Sequence, residues 1–207
     1  MYTLYCRKSA GSMAVEALLA VCGATYTVHD LERNADGSLP DYFHRINPKA
    51  EVPTLTLPDN RVMTESAAMM IYLADLHADA GLAPGVTAAE RAEYLRWMLF
   101  LATAVYGSDL RMFYPERFTT NGAECEGIKA FAEQGMAREF EIYSGALGEK
   151  PFMLGNRMSA LDIYAAMLVS WAPDMPALFA KHPNLKAMYG NVIANPAVAK
   201  VWVRNGV

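Results

Sequence analysis

Apolar positions follow two patterns along this chain, and the change between them falls near residue 81. Up to that point short strand-like runs alternate with runs that repeat at helical spacing. YTLYC at residues 2–6 reads as a strand, and AVEALLAVCG places its apolar residues on a helix that stops at Gly23. TYTVHDL, β-branched and aromatic, reads as a second strand, and LPDYFHRI as a short helix before Asn47-Pro48. VPTLTLPDNRVMT predicts strand, turn at Pro58-Asp59-Asn60, and strand, with a loop short enough for an antiparallel hairpin. ESAAMMIYLADLHADAG then predicts a helix ended near Gly81. The order is β-α-β-α-β-β-α.

Residues 81–86 carry the Pro and Gly of a linker. Beyond it, residues 87–207 hold long helical stretches without a strand pattern, and five or six helices are expected. Thr87 stands as an N-cap with Glu90 at the third helical position, a capping box, and Ser159 with Asp162 forms a second before IYAAMLVSW. The predicted organisation is an α/β domain of residues 1–80, a linker of residues 81–86 and an all-α domain of residues 87–207, with no internal repeat.

Composition narrows the classes of function. The chain of 207 residues is 53% apolar and 19% charged, as expected of a folded protein. Its formal net charge of −4 offers no basic surface for nucleic acid. No apolar run reaches the ~18–20 residues needed to span a bilayer. MYTLYCRKSA lacks the charge-then-apolar order of a signal peptide, so a cytoplasmic location is expected. Cys6, Cys22 and Cys125 are too scattered for a disulfide framework, and His29, His44, His77 and His182 have no ligand-like spacing, so no metal site is expected. Cys22 and Cys125 read as small apolar residues of helices.

Four stretches carry chemistry. In NPKAEVPTL, Val52-Pro53 sits between a helix and a strand, a place for an edge proline or a cis bond. In MTESAAMM, Glu65 and Ser66 open a helix whose free N–H groups attract an anion, with the Ser66 hydroxyl as a further donor. GNRMSALDIYAA carries the second capping box, a folding element without assigned chemistry, and the fourth stretch is SAGSMAVEALL at the end of the first strand.

Together and in this order, NPxxxVPxL, TES and GxRxSxxD resemble the cytosolic, bacterial-type glutathione S-transferases over essentially the whole chain. The resemblance implies a thioredoxin-like N-terminal domain, an all-helical C-terminal domain and glutathione as co-substrate, with no tightly bound cofactor. It implies that the backbone of Val52, before a cis Pro53, pairs with the cysteinyl part of glutathione like an added strand. Ser66 would bind the γ-glutamyl carboxylate and Glu65 help to fix its amine. Glu51 stands where many relatives carry glutamine, adding a negative charge, and Arg33 is a candidate to offset it by meeting the glycyl carboxylate, or is a solvated loop cation.

Activation of the thiol falls to the opening turn. A hydroxyl at a helix N-terminus stabilises a thiolate by a hydrogen bond and by the helix dipole. The family's classes use a tyrosine at the end of the first strand or a serine or cysteine in the turn. Here the tyrosine position holds Cys6, with Tyr5 on the other side of the strand, and Gly11 stands where a cysteine would be. Ser9 is the first candidate and Ser12 the second. Ser12 is also a natural N-cap for a helix starting near Met13, with Glu16 as box partner. Cys6 or a backbone N–H are the other candidates, and an inward-facing strand residue is the plainer reading of Cys6.

The resemblance places the second substrate between this turn and the first long helices of the second domain. Tyr106, Arg111, Phe113 and Tyr114 are the candidates for its wall, and Tyr106 replaces a histidine of some bacterial relatives. Arg111 and Tyr114, three apart, can share a helix face, and Arg111 would favour an acidic or carbonyl-bearing substrate or make an ion pair. Met98 and Met112 are core or pocket lining, and the methionines of residues 66–73 pack a core or a dimer contact. The reading is a cytoplasmic, homodimeric glutathione transferase that detoxifies small electrophiles. The alternatives are a glutathione-dependent disulfide or peroxide reductase, or a non-catalytic binding protein of the same fold.

Overall fold

A computed structural model describes residues 1–207. The first elements are β1 (Tyr2–Cys6), α1 (Ser12–Val21), β2 (Tyr26–Asp30), α2 (Asp41–Ile46), β3 (Thr54–Thr56), β4 (Val62–Met63) and α3 (Ser66–Leu76), in the expected order. They form one sheet of order β2-β1-β3-β4. β1 and β2 run parallel, which requires the crossover that α1 supplies, while β3 pairs antiparallel with both β1 and β4.

Alternation along β1 decides the layers. Tyr2, Leu4 and Cys6 are buried on one face, and Thr3 and Tyr5 point to the other. Tyr5 packs against Phe43 of α2, in a cluster with Leu31 and Leu39, so α2 covers that face. On the other face α1 packs against β1 and α3. α1 is buried on all sides from Ser12 to Leu19 because a further helix, α10 (Pro196–Asn205), covers its remaining face. Met69 and Met70 of α3 are fully buried, so these methionines are core.

The chain divides into two compact units, residues 1–86 with 192–207, and residues 87–191. In this division the C-terminal helix groups with the sheet, because it packs on α1. Its apolar stripe, Val198, Val201 and Trp202, is buried, and a Leu- or Val-sized side chain buried this way contributes about 1.5–3 kcal/mol.

The second unit contains α4 (Arg91–Phe100), α5 (Tyr106–Phe113), α6 (Cys125–Leu147), α7 (Ala160–Ser170), α8 (Met175–Lys181) and most of α9 (Pro183–Ile193). α4 and α5 are joined without a break by a π-helical turn at Leu101–Val105. Residues 87–207 thus hold seven α-helices, more than expected. α7 is buried along Ala160–Val169, and its capping box is present, with Ser159 N–H and Oγ donating to Asp162 Oδ2 at 2.8 Å each. Asp162 is fully buried, and its Oδ1 accepts the Met153 N–H at 2.8 Å. The matching pattern at Thr87 does not cap a helix: residues 86–90 form turns and α4 begins at Arg91. Met98 and Met112 are buried core residues. No helix is long and apolar enough to cross a membrane.

Candidate active site

Sheet register brings three of the motif segments to one place. Tyr5 stands opposite Thr54, and Leu55 opposite Met63. The C-terminal end of β1, the N-terminal end of β3 and the C-terminal end of β4 therefore lie at the same end of the sheet. From these ends depart the 7–11 turn, the Val52-Pro53 segment and the Glu65-Ser66 step into α3.

The Val52–Pro53 bond is cis. Val52 packs its side chain against the Leu31, Leu39 and Phe43 cluster. The segment is braced by two buried residues that the sequence reading passed over. Asn47 Nδ2 donates to the Glu51 carbonyl and to Thr54 Oγ1, both at 3.0 Å, and Thr54 Oγ1 donates to the Glu51 carbonyl at 2.8 Å. Asn47 Oδ1 also accepts the Lys49 N–H at 3.1 Å. One amide thereby closes the loop on both sides of Val52.

Glu65 is the N-cap of α3 and adopts φ 66°, ψ 99°, while Ser66 is the first helical residue. A side chain in this left-handed region is held there by its surroundings at a cost of about 1–3 kcal/mol, and such residues concentrate at ligand clamps. The N-terminus of α3, with its positive dipole end, opens at the same place.

The opening turn is held differently from the expectation. Ser9, also left-handed at φ 53°, donates its backbone N–H to Asn205 Oδ1 at 3.1 Å and its hydroxyl to the Asn205 carbonyl at 2.8 Å. Ser9 is exposed to solvent. Ser12 is corrected on two counts. It is 1% exposed, with its hydroxyl donated to the Arg7 carbonyl at 3.2 Å rather than turned to solvent. Nor does it cap: the N-cap is Gly11, the helix begins at Ser12 itself, and Glu16 has a different partner.

That partner is Arg204 of α10, whose Nη1 donates to Glu16 Oε2 at 2.8 Å while its Nη2 reaches Asp30 at the end of β2. Burial pushes the Glu16 carboxyl up, against the pull of the guanidinium. Cys6 lies in the same network: its thiol donates to Asp30 Oδ1 at 3.0 Å and receives Arg204 Nη2 at 3.8 Å. Burial first, and then the acceptor Asp30, push the Cys6 thiol up to about 12. Asp30 resists the upward effect of partial burial and is held below the usual carboxylate range by hydrogen bonds from Cys6 and Arg204. Cys6 is thus an inward structural thiol, not a thiolate donor site. Tyr5, on the α2 face, stacks with His29 and Phe43 and does not enter the turn.

Glu51 is exposed and paired with Lys49 at 2.8 Å. Lys49, not Arg33, offsets its charge. Arg33 donates to the Gly37 carbonyl four residues on within its own loop, which braces the chain between β2 and α2.

In the second unit, Tyr106 opens α5 directly after the π-helical turn and meets the Trp171 ring edge-on at 5.5 Å between centroids. Phe113, at 55% exposure, projects outward at the end of the helix. Arg111 and Tyr114 do not share a helix face, because Tyr114 has left the helix with φ −134°, ψ 53°. Arg111 donates to the Gly107 carbonyl at 2.8 Å and lies over the Phe118 ring, lining an open groove with Ile128 and Phe131. Tyr114 is covered instead by Arg117, 4.2 Å from its ring centroid. Asp109, one turn along α5 from Tyr106, is buried, and burial pushes its carboxyl up to about 7. It was invisible in the sequence because nothing local marks which face of α5 turns inward.

Two family models match the chain: glutathione S-transferase, N-terminal domain, over residues 9–76, and glutathione S-transferase, C-terminal domain, over residues 110–203. Glutathione S-transferase GstA of Escherichia coli O157:H7 is 28% identical over 171 residues, spanning 82% of this chain and 81% of its own. The uncharacterized GST-like protein YncG of Escherichia coli K12 is 26% identical over 198 residues, 95% of each chain. The structure of a sphingomonad glutathione S-transferase complexed with glutathione superposes with a TM-score of 0.83 at 25% identity, over 99% of both chains. The chain belongs to the glutathione S-transferase family.

Proposed function

We propose that this protein is a glutathione transferase, acting as a cytoplasmic homodimer on small electrophiles. The observation that carries the reading is the convergence of the Ser9 turn, the cis Val52–Pro53 segment and the Glu65-Ser66 helix start at one end of the sheet. Glutathione lies across that end. Its cysteinyl backbone pairs with Val52, its γ-glutamyl carboxylate meets the Ser66 hydroxyl and the α3 N-terminus, and Glu65 faces its amine. The thiol then rests at the start of α1, where the helix dipole and the Ser9 hydroxyl favour the thiolate. Chemistry follows from thiolate formation and positioning: the thiol gives its proton to solvent and the sulfur attacks the electrophile, which in substitution expels its leaving group to solvent and in addition takes up a proton from solvent. Tyr106 and Phe113 of α5 are the residues we assign to contact an apolar or carbonyl-bearing electrophile, Tyr106 through its hydroxyl, while Arg111 and Tyr114 are engaged with Phe118 and Arg117.

A mixed-disulfide reductase is the weaker reading. Gly11 offers no turn thiol, and Cys6 is buried with its proton held. A non-catalytic role is weaker too, because a scaffold has no use for a left-handed Glu65.

The test is the pKa of enzyme-bound glutathione, followed by thiolate absorbance across pH in wild type, Ser9→Ala and Ser66→Ala. The transferase reading expects a value below that of free glutathione, restored by Ser9→Ala, and weaker binding without restoration in Ser66→Ala. Binding without any depression moves the reductase reading forward. No binding at all leaves a scaffold.

A further inference from the structure

We infer that the C-terminal helix α10 is the positioning element of the thiol-activating turn, with Asn205 as the residue that holds Ser9 in register and accepts its hydroxyl hydrogen bond until a thiolate accepts it instead. The inference rests on the transferase reading for its catalytic consequence and on the geometry for the rest.

Ser9 and Asn205 are joined by two hydrogen bonds, one from the N–H and one from the hydroxyl. A non-glycine residue at φ 53° reverts to a commoner conformation unless its surroundings hold it, and these two bonds are what holds it. Asn205 is itself immobilised. It is 3% exposed, and its Nδ2 donates to the Val201 carbonyl at 2.8 Å. The adjacent Arg204 ties the same helical turn to Glu16 of α1, to Asp30 of β2 and to Cys6 of β1, the three elements that converge on the turn. Gly206 ends α10 in the left-handed conformation at φ 79° that turns the chain away.

The Asn205 carbonyl belongs to the last turn of α10, where carbonyls lack helical donors and carry the negative end of the dipole. Ser9 satisfies it. A hydroxyl has one proton, so Ser9 cannot donate to this carbonyl and to a thiolate at once. A thiolate, being charged, is the stronger acceptor, and rotation about the Cβ–Oγ bond transfers the donation from Asn205 to the sulfur without moving the backbone. The backbone bond to Asn205 Oδ1 meanwhile keeps the turn in place during the exchange.

Amide hydrogen exchange of the glutathione-free protein tests the holding role. The Ser9 N–H should be protected in wild type and exchange about tenfold faster or more in Asn205→Ala. Val203→Ala, exposed on the same helix, should change nothing. Rapid exchange in wild type, or equal protection in Asn205→Ala, overturns the inference, and the wild-type measurement decides even if Asn205→Ala fails to fold. With glutathione bound, Asn205→Ala should raise the pKa of the bound thiol and lower kcat while KM for glutathione changes by less than about threefold, since Val52, Glu65 and Ser66 still bind it. An unchanged thiol pKa overturns the catalytic consequence. If wild type binds no glutathione, the transferase reading fails, and the exchange result still stands or falls by itself.

Discussion

Arg204 and Glu16, 188 residues apart, are joined at 2.8 Å, and the bond explains how α1 tolerates a carboxylate on a helix buried all round. A charge removed from water needs a partner. Arg204 is the partner of Glu16, which is 4% exposed. Arg204→Ala leaves that carboxylate buried without its counter-charge, held only by a hydrogen bond with Asn205, and should cost about 3 kcal/mol of unfolding free energy, whereas Arg204→Ala/Glu16→Gln together should cost less. Chemical denaturation of the single and double variants measures both. If the double variant is no better than the single, the pair is not coupled.

Glu65 should trade stability against binding. At φ 66° a glycine is free of the Cβ clash that every other residue meets. Glu65→Gly is expected to be more stable than Glu65→Ala by about 1 kcal/mol, although both bind glutathione more weakly than wild type. Thermal unfolding paired with calorimetric titration of glutathione separates the two effects.

Asn47→Ala should loosen the Val52 segment by removing both side-chain donors and the acceptor for Lys49. The expected outcome is a loss of about 1–3 kcal/mol of stability and a raised KM for glutathione. The pKa of bound thiol should stay near that of wild type, because the Ser9 turn is untouched. A depressed kcat with unchanged KM would contradict the assigned role.

Asp109 sets a pH dependence of definite sign. Its carboxyl titrates at about 7 in the folded chain, above the ordinary range it has when unfolded. The folded state therefore holds the proton more tightly, so the stabilisation is complete below the unfolded value and is lost as pH rises through about 7. Asp109→Asn should flatten this loss and be the more stable protein at about pH 8 by roughly 2–4 kcal/mol, with little difference at about pH 4. Asp30 acts in the opposite sense, its depressed value making stability fall as pH falls, so the comparison is made between wild type and Asp109→Asn rather than on wild type alone.

By itself the sequence determined what depends on neighbours along the chain. The order of strands and helices follows from the spacing of apolar residues, and the Ser159–Asp162 box from contacts three residues apart. Val52-Pro53 and Glu65-Ser66 were legible because a proline between helix and strand and a polar pair at a helix start are local patterns. Local patterns also misled. Thr87 carries the same box spelling, yet the chain turns there instead, and Ser12 reads as a cap but sends its hydroxyl back to Arg7.

What only the tertiary structure decided are the partners brought from far along the chain. The meeting of Ser9 with Asn205 and of Glu16 with Arg204 depends on α10 crossing α1, and nothing in residues 196–205 names the surface they cover. Burial then assigns chemistry that composition leaves open. It holds the proton on Cys6, raises Asp109, and leaves Ser9 the exposed hydroxyl of its turn. A side chain's protonation and direction are set by the groups packed around it, and packing is settled only when the whole chain has closed.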